Sequence, residues 1–580
     1  MSNRRRLVVP MVALCALAAV ACSGSNSRSS GSRATPAPSG NVLLVGTYQG
    51  LAGQYQTIQS AVDAAQSGDW VLVAPGDEHE QYDHTHPVGD YPVGAVHITT
   101  PNLHVRGMDR NGVIIDGTKP GAAVCSTAPD DQDYGATNAQ GKTAGRNGLE
   151  VWKADGSQID NLTVCNFLRA ASDAGSGEGG NEIWWNGGDG SGVIDMGSYG
   201  GSYLTAWSSF ASDHGDGSYG LFTSNTNGPG LLAHTYGSNM SDGSYYIGAC
   251  NDCNVVLDDA HAQYSALGYS GMNSGGNLIV KNSEFDHNKT GFVTNSQNND
   301  DAPSPQDGAC PSNGIGPTGT HSCWIFEDNY VHDNNNANVP GHGSAELAPP
   351  GGGLVISGGR NNTVIRNRFE NNDSWAVLTV PFPDTDTPPS IAHCEGGDPN
   401  GIPSLGIPGC YYDTWGNEIA DNSFKNNGGF ANPTNGDIGN IAGQHDPGNC
   451  FHGNTNPAGL TTAPADLQST AGTCGQPNAG AELTSDLTIQ VICATEAFGP
   501  CPASPGQTYP RRTTVTLPAL TPQPTMPNPC DGVPGNAWCP SGAPATTAAL
   551  VLPLPLLAIP LAGAASLRRR RRSRQQLARR

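Results

Sequence analysis

The chain is short of cations, of Leu and Lys, and of charge in general, with only 14% of its 580 residues charged. Scarce Leu and Lys exclude long amphipathic helices, and with them a helical bundle or coiled coil. The low charge excludes a highly charged disordered chain. Apart from its two ends the sequence has few positive groups: residues 34–567 hold 15 Lys and Arg against 51 Asp and Glu, a formal charge of −36. From Ala170 to Val280 there is no Lys or Arg at all. Such a body repels phosphate backbones and offers few cations for counterion release, which argues against nucleic acid as a partner. What is abundant is Gly, at 77 residues, and with 44 Pro the two make up about 21% of the chain. That composition predicts a turn-rich all-β protein.

Both ends read as addressing segments. Arg4–Arg6, the apolar stretch Leu7–Ala18 and the small residues Ala19-Val20-Ala21 form an export signal over residues 1–21. Cys22 follows at once, so the segment resembles a bacterial lipoprotein signal in which that cysteine is acylated; simple cleavage and a twin-arginine route at Arg4-Arg5 stay open. A flexible linker is expected over 22–40. At the other end, Ala548–Leu567 is a 20-residue run without charge, followed by Arg568–Arg572. It is long enough to span a bilayer, and the basic tail 568–580 would stay cytoplasmic, although Pro553, Pro555 and Pro560 remove backbone donors. No Leu-Pro-x-Thr-Gly motif precedes it. The body would then lie outside the cell, anchored in the membrane by the span and by any lipid on Cys22.

The cysteines agree with an oxidising location. Excluding Cys15 and Cys22, 14 of 16 remain, an even number that predicts disulfides, each taken to join sequence neighbours. Cys250-Asn-Asp-Cys253 is the one C-x-x-C of the body, and no His/Cys cluster stands at zinc spacing around it.

The strongest internal signal is self-similarity. Asn277-Leu-Ile-Val-Lys-Asn-Ser-Glu-Phe-Asp-His-Asn288 begins 23 residues after Asn254-Val-Val-Leu-Asp-Asp, and Asn362–Asn372 recurs as Asn417–Asn427. Each copy reads as a short alternating strand, an Asn-containing turn, a second short strand and another turn. A period in the low twenties suits a parallel β-helix, in which stacked coils bury a continuous core and Asn side chains stack from coil to coil. Ser296–His321 and Pro381–Tyr411 read as loops inserted at turns. Thr57–Ser67 has helical spacing and would cap the open N-terminal end.

"YQTIQSAVDAAQSGDWVLVAPG", followed by "VHITTPNLHVRGMDRNGVIIDG", resembles the opening of the right-handed parallel β-helix, or pectin-lyase-like, superfamily. With the later repeats the resemblance covers roughly residues 41–460. It implies an all-β right-handed solenoid with an N-terminal capping helix and a groove for extended polysaccharide; members include lyases, glycoside hydrolases and C5-epimerases. Beyond it, 461–547 reads as a Cys-containing Pro/Thr-rich stalk with one strand at Leu487–Cys493, ahead of the transmembrane segment 548–567.

Each of those chemistries makes a demand. A uronate lyase or epimerase needs a cationic base and clamp, or Ca²⁺ to bridge carboxylates. The central coils lack cations, which leaves a Ca²⁺-assisted version in which Asp258, Asp259 and Asp286 gather the ion. A hydrolase needs two carboxyl groups, one protonated and one ionised. The densest candidates are Asp258-Asp259 followed by His261, and Asp286-His287 one coil later. Gly341-His342-Gly343 is similar to the Gly-His-Gly of polygalacturonase-like hydrolases, but no Arg-x-Lys follows it. The alternative is that all these groups are solvated turn residues, as expected for His332-Asp333. Trp184, Trp185, Trp207 and Tyr245, with neighbouring tyrosines, are the candidate sugar platforms, although adjacent tryptophans on a strand would alternate between core and surface. No catalytic motif is complete. The expectation is therefore a surface protein that binds extracellular polysaccharide or cell-wall glycan, the alternative being a carbohydrate-active hydrolase, lyase or epimerase using that carboxylate cluster.

Overall fold

A computed structural model describes residues 39–540 apart from 82–93, 137–142, 144, 170–178, 188–195, 200–201, 205–215, 227, 251–252, 299–322, 385–393, 395–396, 446, 496–500, 502–506 and 519–520. The export signal, Cys22, most of the linker, Trp207, the apolar run 548–567 and the basic end lie outside the described residues. Among the described residues no helix is long and apolar enough to cross a membrane.

The winding follows from three short strands and the corners between them. Val255–Asp258 is followed by Asp259 at φ 54°, and His261–Gln263 by Tyr264 at φ 54°. Leu267–Met272 then leads through Asn277, at φ 51°, into Ile279–Lys281 of the next coil. A corner made at one residue needs positive φ, which Asn and Asp tolerate better than other L-residues. This accounts for Asp259, Asn282, Asp328 and Asp421 at one corner and for Asp333, Asn371 and Asn426 at the next. Lys281 lies in register beside Asp258, so this coil measures 23 residues, the interval read from the repeat. The result, among the described residues, is three parallel sheets: 12 strands from Val42–Val45 to Cys450–His452, 10 from Gly76–Glu78 to Ser423–Lys425, and 11 from Gly94–Ile98 to Thr462–Ala463.

The residue after a left-handed corner turns inward, and on the later coils the sequence places Asn there again. Asn329 N donates to Asn367 Oδ1 at 2.9 Å, Asn367 N to Asn422 Oδ1 at 2.9 Å, and Asn422 N to Asn454 Oδ1 at 3.1 Å. Parallel ladders run through Asn288, Asn334, Asn372 and Asn427, and through Asn362, Asn417 and Asn449. Corner amides have no partner in the sheets, so the ladders satisfy groups that burial would otherwise penalise. Between the ladders the core is Val, Ile, Leu and aromatic rings, with Tyr269 stacked on Phe292 at 4.2 Å. The helix Ile58–Ala64, capped by Thr57, sinks Ile58, Ala61 and Val62 into this core against the first strands of two sheets.

The body does not stop at residue 460. Thr462–Ala463 adds the last strand of the third sheet, and Leu467 and Ala471 enter the main core. Leu487–Cys493, expected as a strand, lies in the helix Asp486–Thr495. Its buried Leu487, Gln490, Cys493 and Ala494 recur at helical spacing; the β-branched residues between them had suggested a strand. The Pro-rich segment also departs from the free stalk expected of it. Residues 507–518 and 521–540 run back along the coils as a strap. Thr513 N donates to Asn338 Oδ1 at 2.9 Å, and Pro518 O accepts from Asn239. Pro524 O accepts from Arg110 at 2.9 Å, and Asp531 O from Arg106 at 2.6 Å. Trp538 ends the path buried among Leu44, Trp70, Leu72 and Met108, with Nε1 on Leu51 O. An extended Pro-rich chain carries carbonyls with no internal partner, and side-chain donors on the coils take several of them.

Six disulfides are described: Cys125–Cys165, Cys250–Cys253, Cys394–Cys410, Cys450–Cys474, Cys493–Cys501 and Cys530–Cys539. Each joins sequence neighbours.

Candidate functional site

In the second sheet each strand of three residues buries its middle residue and turns the other two outward, as alternation requires. Ala262, Phe285, Val331, Phe369 and Phe424 point in. Register then aligns His261, Glu284, Tyr330 and Arg368 in one outer column, and Gln263, Asp286, His332 and Glu370 in the next. The left-handed corner residues Tyr264, His287 and Asp333 follow directly after these strands on successive coils.

Asp286 is the centre of this face. Its Oδ1 meets His261 Nε2 at 2.6 Å, and its Oδ2 accepts from Gln263 Nε2 at 2.7 Å and from His287 Nδ1. Burial works against the charge, yet the hydrogen bonds from His261, His287 and Gln263 hold its carboxyl well below the usual carboxylate range. The bond to Asp286 raises His287 above its ordinary value. His332 bridges Glu284 Oε1 at 2.9 Å and Asp333 Oδ2 at 2.7 Å. Burial opposes the His332 cation, but those two carboxylates raise it, and the same bond lowers Glu284. Tyr330 is clamped between the His332 ring at 3.9 Å and the Arg368 guanidinium at 3.6 Å. Tyr264 and the half-exposed His287 bring their rings to 5.4 Å on consecutive coils.

Of the four residues expected to carry chemistry, the structure brings Asp286 and His287 together and separates the other two. Asp258 ends a strand of the first sheet, with Lys281 Nζ at 3.3 Å and Asn282 Nδ2 at 2.8 Å. Asp259 occupies the exposed corner after it and pairs with His234. The three aspartates therefore do not converge on one ion, and Asp286, held ionised, is not the protonated acid of a hydrolase pair. The aromatic platforms are corrected as well. Trp185 and Tyr245 are core residues, and Tyr245 donates to His261 O. Trp184 does face away from the core, but it is buried against Phe222 and Tyr246. No ring face of these three is open to a sugar. Sequence reasoning passed over Glu284, Tyr264 and Tyr330, set Arg366-Asn-Arg368 aside as a poor match to Arg-x-Lys, and read His332 as a polar turn. The available signal was the 23-residue interval joining His261 to Glu284 and Gln263 to Asp286.

Four groups among the described residues have metal-ligand geometry. Two of them include disulfide cysteines, Cys450–Cys474 and Cys125–Cys165. The others are Asp77, His79 and Asp116, and on the second sheet His261, Glu284 and Asp286.

Three parallel sheets, each adding one strand from every successive coil, admit one description. This chain is a parallel β-helix, as the pectin-lyase-like resemblance implied. Similar solved structures include the A-module of an Azotobacter vinelandii mannuronan C-5 epimerase, 12% identical, covering 69% of this chain and 90% of that one at a TM-score of 0.37. Another is the Dettilon tailspike protein, 13% identical, covering 75% and 62% at 0.38. No protein-family model matches the sequence, and no curated protein matches it.

Proposed function

We propose that the outer face of the second sheet binds a neutral extracellular polysaccharide, on a protein exported and held at the cell surface. The observation that carries this reading is the pair of rings at successive corners, Tyr264 and His287, beside the polar array of Gln263, Asp286, His332 and Arg368. Rings stack on the apolar faces of sugars while donors and acceptors fix their hydroxyls. Glu284, Asp286, Asp333 and Glu370 share the face, which favours an uncharged chain over a uronate. Binding is preferred to hydrolysis because Asp286 is tied up by His261, His287 and Gln263, and Glu284 by His332, which leaves neither as a free proton donor to a glycosidic oxygen. Export and anchorage are supported by the sequence of residues 1–22 and 548–572 and by the disulfides.

Affinity electrophoresis against neutral and uronate polysaccharides tests the reading. A neutral polymer is expected to retard the protein, and Tyr264→Ala with Arg368→Ala to weaken that retardation at least tenfold. No retardation by any neutral polymer, or full retention in the double variant, overturns it. Release of reducing ends or unsaturated products that Asp286→Asn abolishes would replace it with an enzyme.

A further inference from the structure

We propose that His261, Glu284 and Asp286 form a site for a borderline divalent transition metal such as Zn²⁺, with one position left open to solvent. The site stands whether or not the same face binds sugar. His261 Nε2, one carboxylate oxygen of Glu284 and one of Asp286 lie within 4.8 Å of one another, contributed by adjacent strands in register. The surrounding bonds hold these side chains in place. Gln263 and His287 both engage Asp286 Oδ2, so Oδ1 faces His261. His332 takes Glu284 Oε1, and Asp333 in turn fixes His332 through its other ring nitrogen. Metal ligands characteristically carry such outer partners, which set their orientation and basicity.

Size is compatible with an ion. Metal–ligand bonds of about 2.0–2.1 Å in a tetrahedron place two ligand atoms about 3.3 Å apart. His261 and Asp286 now stand at 2.6 Å, so the imidazole must swing out by roughly 0.7 Å and give up the shared proton. The His261 side chain is 31% exposed and Glu284 45%, which permits that movement and gives the ion a path in. One nitrogen and two carboxylates suit Zn²⁺, whereas Ca²⁺ takes six to eight oxygens. With three protein ligands the fourth position is free for water or a sugar hydroxyl.

Calorimetric titration of the chelator-stripped full chain with Zn²⁺ tests the site. One equivalent should bind in the wild type and be lost in both His261→Ala and Glu284→Gln. Gln263→Ala should weaken it about tenfold, the usual effect of removing an outer partner. His79→Ala, which removes the competing group at Asp77 and Asp116, should leave it unchanged. Thermal melts without metal confirm that the variants fold; both ligand side chains are solvent-accessible. An isotherm that survives His261→Ala, is absent from the wild type, or disappears with His79→Ala overturns the proposal, as does Ca²⁺ displacing Zn²⁺ at equal concentration.

Discussion

Replacing Asn367 by Ala should cost far more than replacing its neighbour Arg366, although only a ladder side chain is lost. Asn367 is buried, and its Oδ1 accepts from Asn329 N at 2.9 Å and from Asn329 Nδ2 at 3.1 Å. Its Nδ2 donates to Phe326 O at 2.9 Å and to Asn422 Oδ1 at 3.0 Å. Two of these partners keep another bond: Asn329 Nδ2 still reaches Val280 O, and Asn422 Oδ1 still accepts from residue 367 N. The other two, Asn329 N and Phe326 O, lose the bond described for them at this corner. At about 1–3 kcal/mol for each buried group left unpaired, Asn367→Ala should destabilise by about 2–6 kcal/mol. Arg366→Ala keeps a left-handed residue at the corner and loses only exposed ion pairs with Glu327 and Asp328, worth about 0–1 kcal/mol. Equilibrium denaturation of both variants, followed by circular dichroism, makes the comparison. Equal midpoints would refute the reasoning, because the ladders would then be ornament on a core that holds itself.

Asp242 lies under Tyr219, whose hydroxyl donates to its Oδ2 at 2.7 Å, and burial pushes its carboxyl up to about 6. A raised carboxyl stabilises the fold only below its unfolded value near 4, and that stability is lost as pH rises toward 6. Asp242→Asn should therefore raise the unfolding free energy at pH 7 by up to about 3 kcal/mol and change it little at pH 4; a variant less stable at pH 7 contradicts this. Trp538→Ala should free the end of the strap, so that limited proteolysis cuts within 521–540 at least tenfold faster while the global midpoint barely moves. Glycan retardation and Zn²⁺ titration supply the remaining two tests, and Tyr264→Ala should affect the first but not the second.

The winding was legible because its rules are local. Asn-Asn and Asp-Asn pairs such as Asn371-Asn372 and Asp421-Asn422 state both a left-handed corner and a ladder rung. The 23-residue interval is the spacing at which Asp258 stands beside Lys281. It could not show that Asp258 and Asp286 belong to different sheets, since that depends on where within the coil each corner falls. What covers an outward face was also illegible. Trp184 sits on the outward side of its strand, as alternation allowed, and is nonetheless buried by partners on later coils. The strap was misread for a related reason: composition reports that the Pro-rich segment is extended, but the donors that hold it, Arg106 and Arg110, lie more than 400 residues away.

The strap also determines how the molecule would bear tension. Asn41 is fastened to Asp69, and Trp538 packs on the adjoining Trp70, so both ends of the described residues lie at one end of the stack. A pull between them would not stretch the rungs. It would peel the strap from Trp538 backward, one attachment at a time; with Cys530–Cys539 closed as a loop, the remaining twenty-odd residues would release about 75 Å of slack.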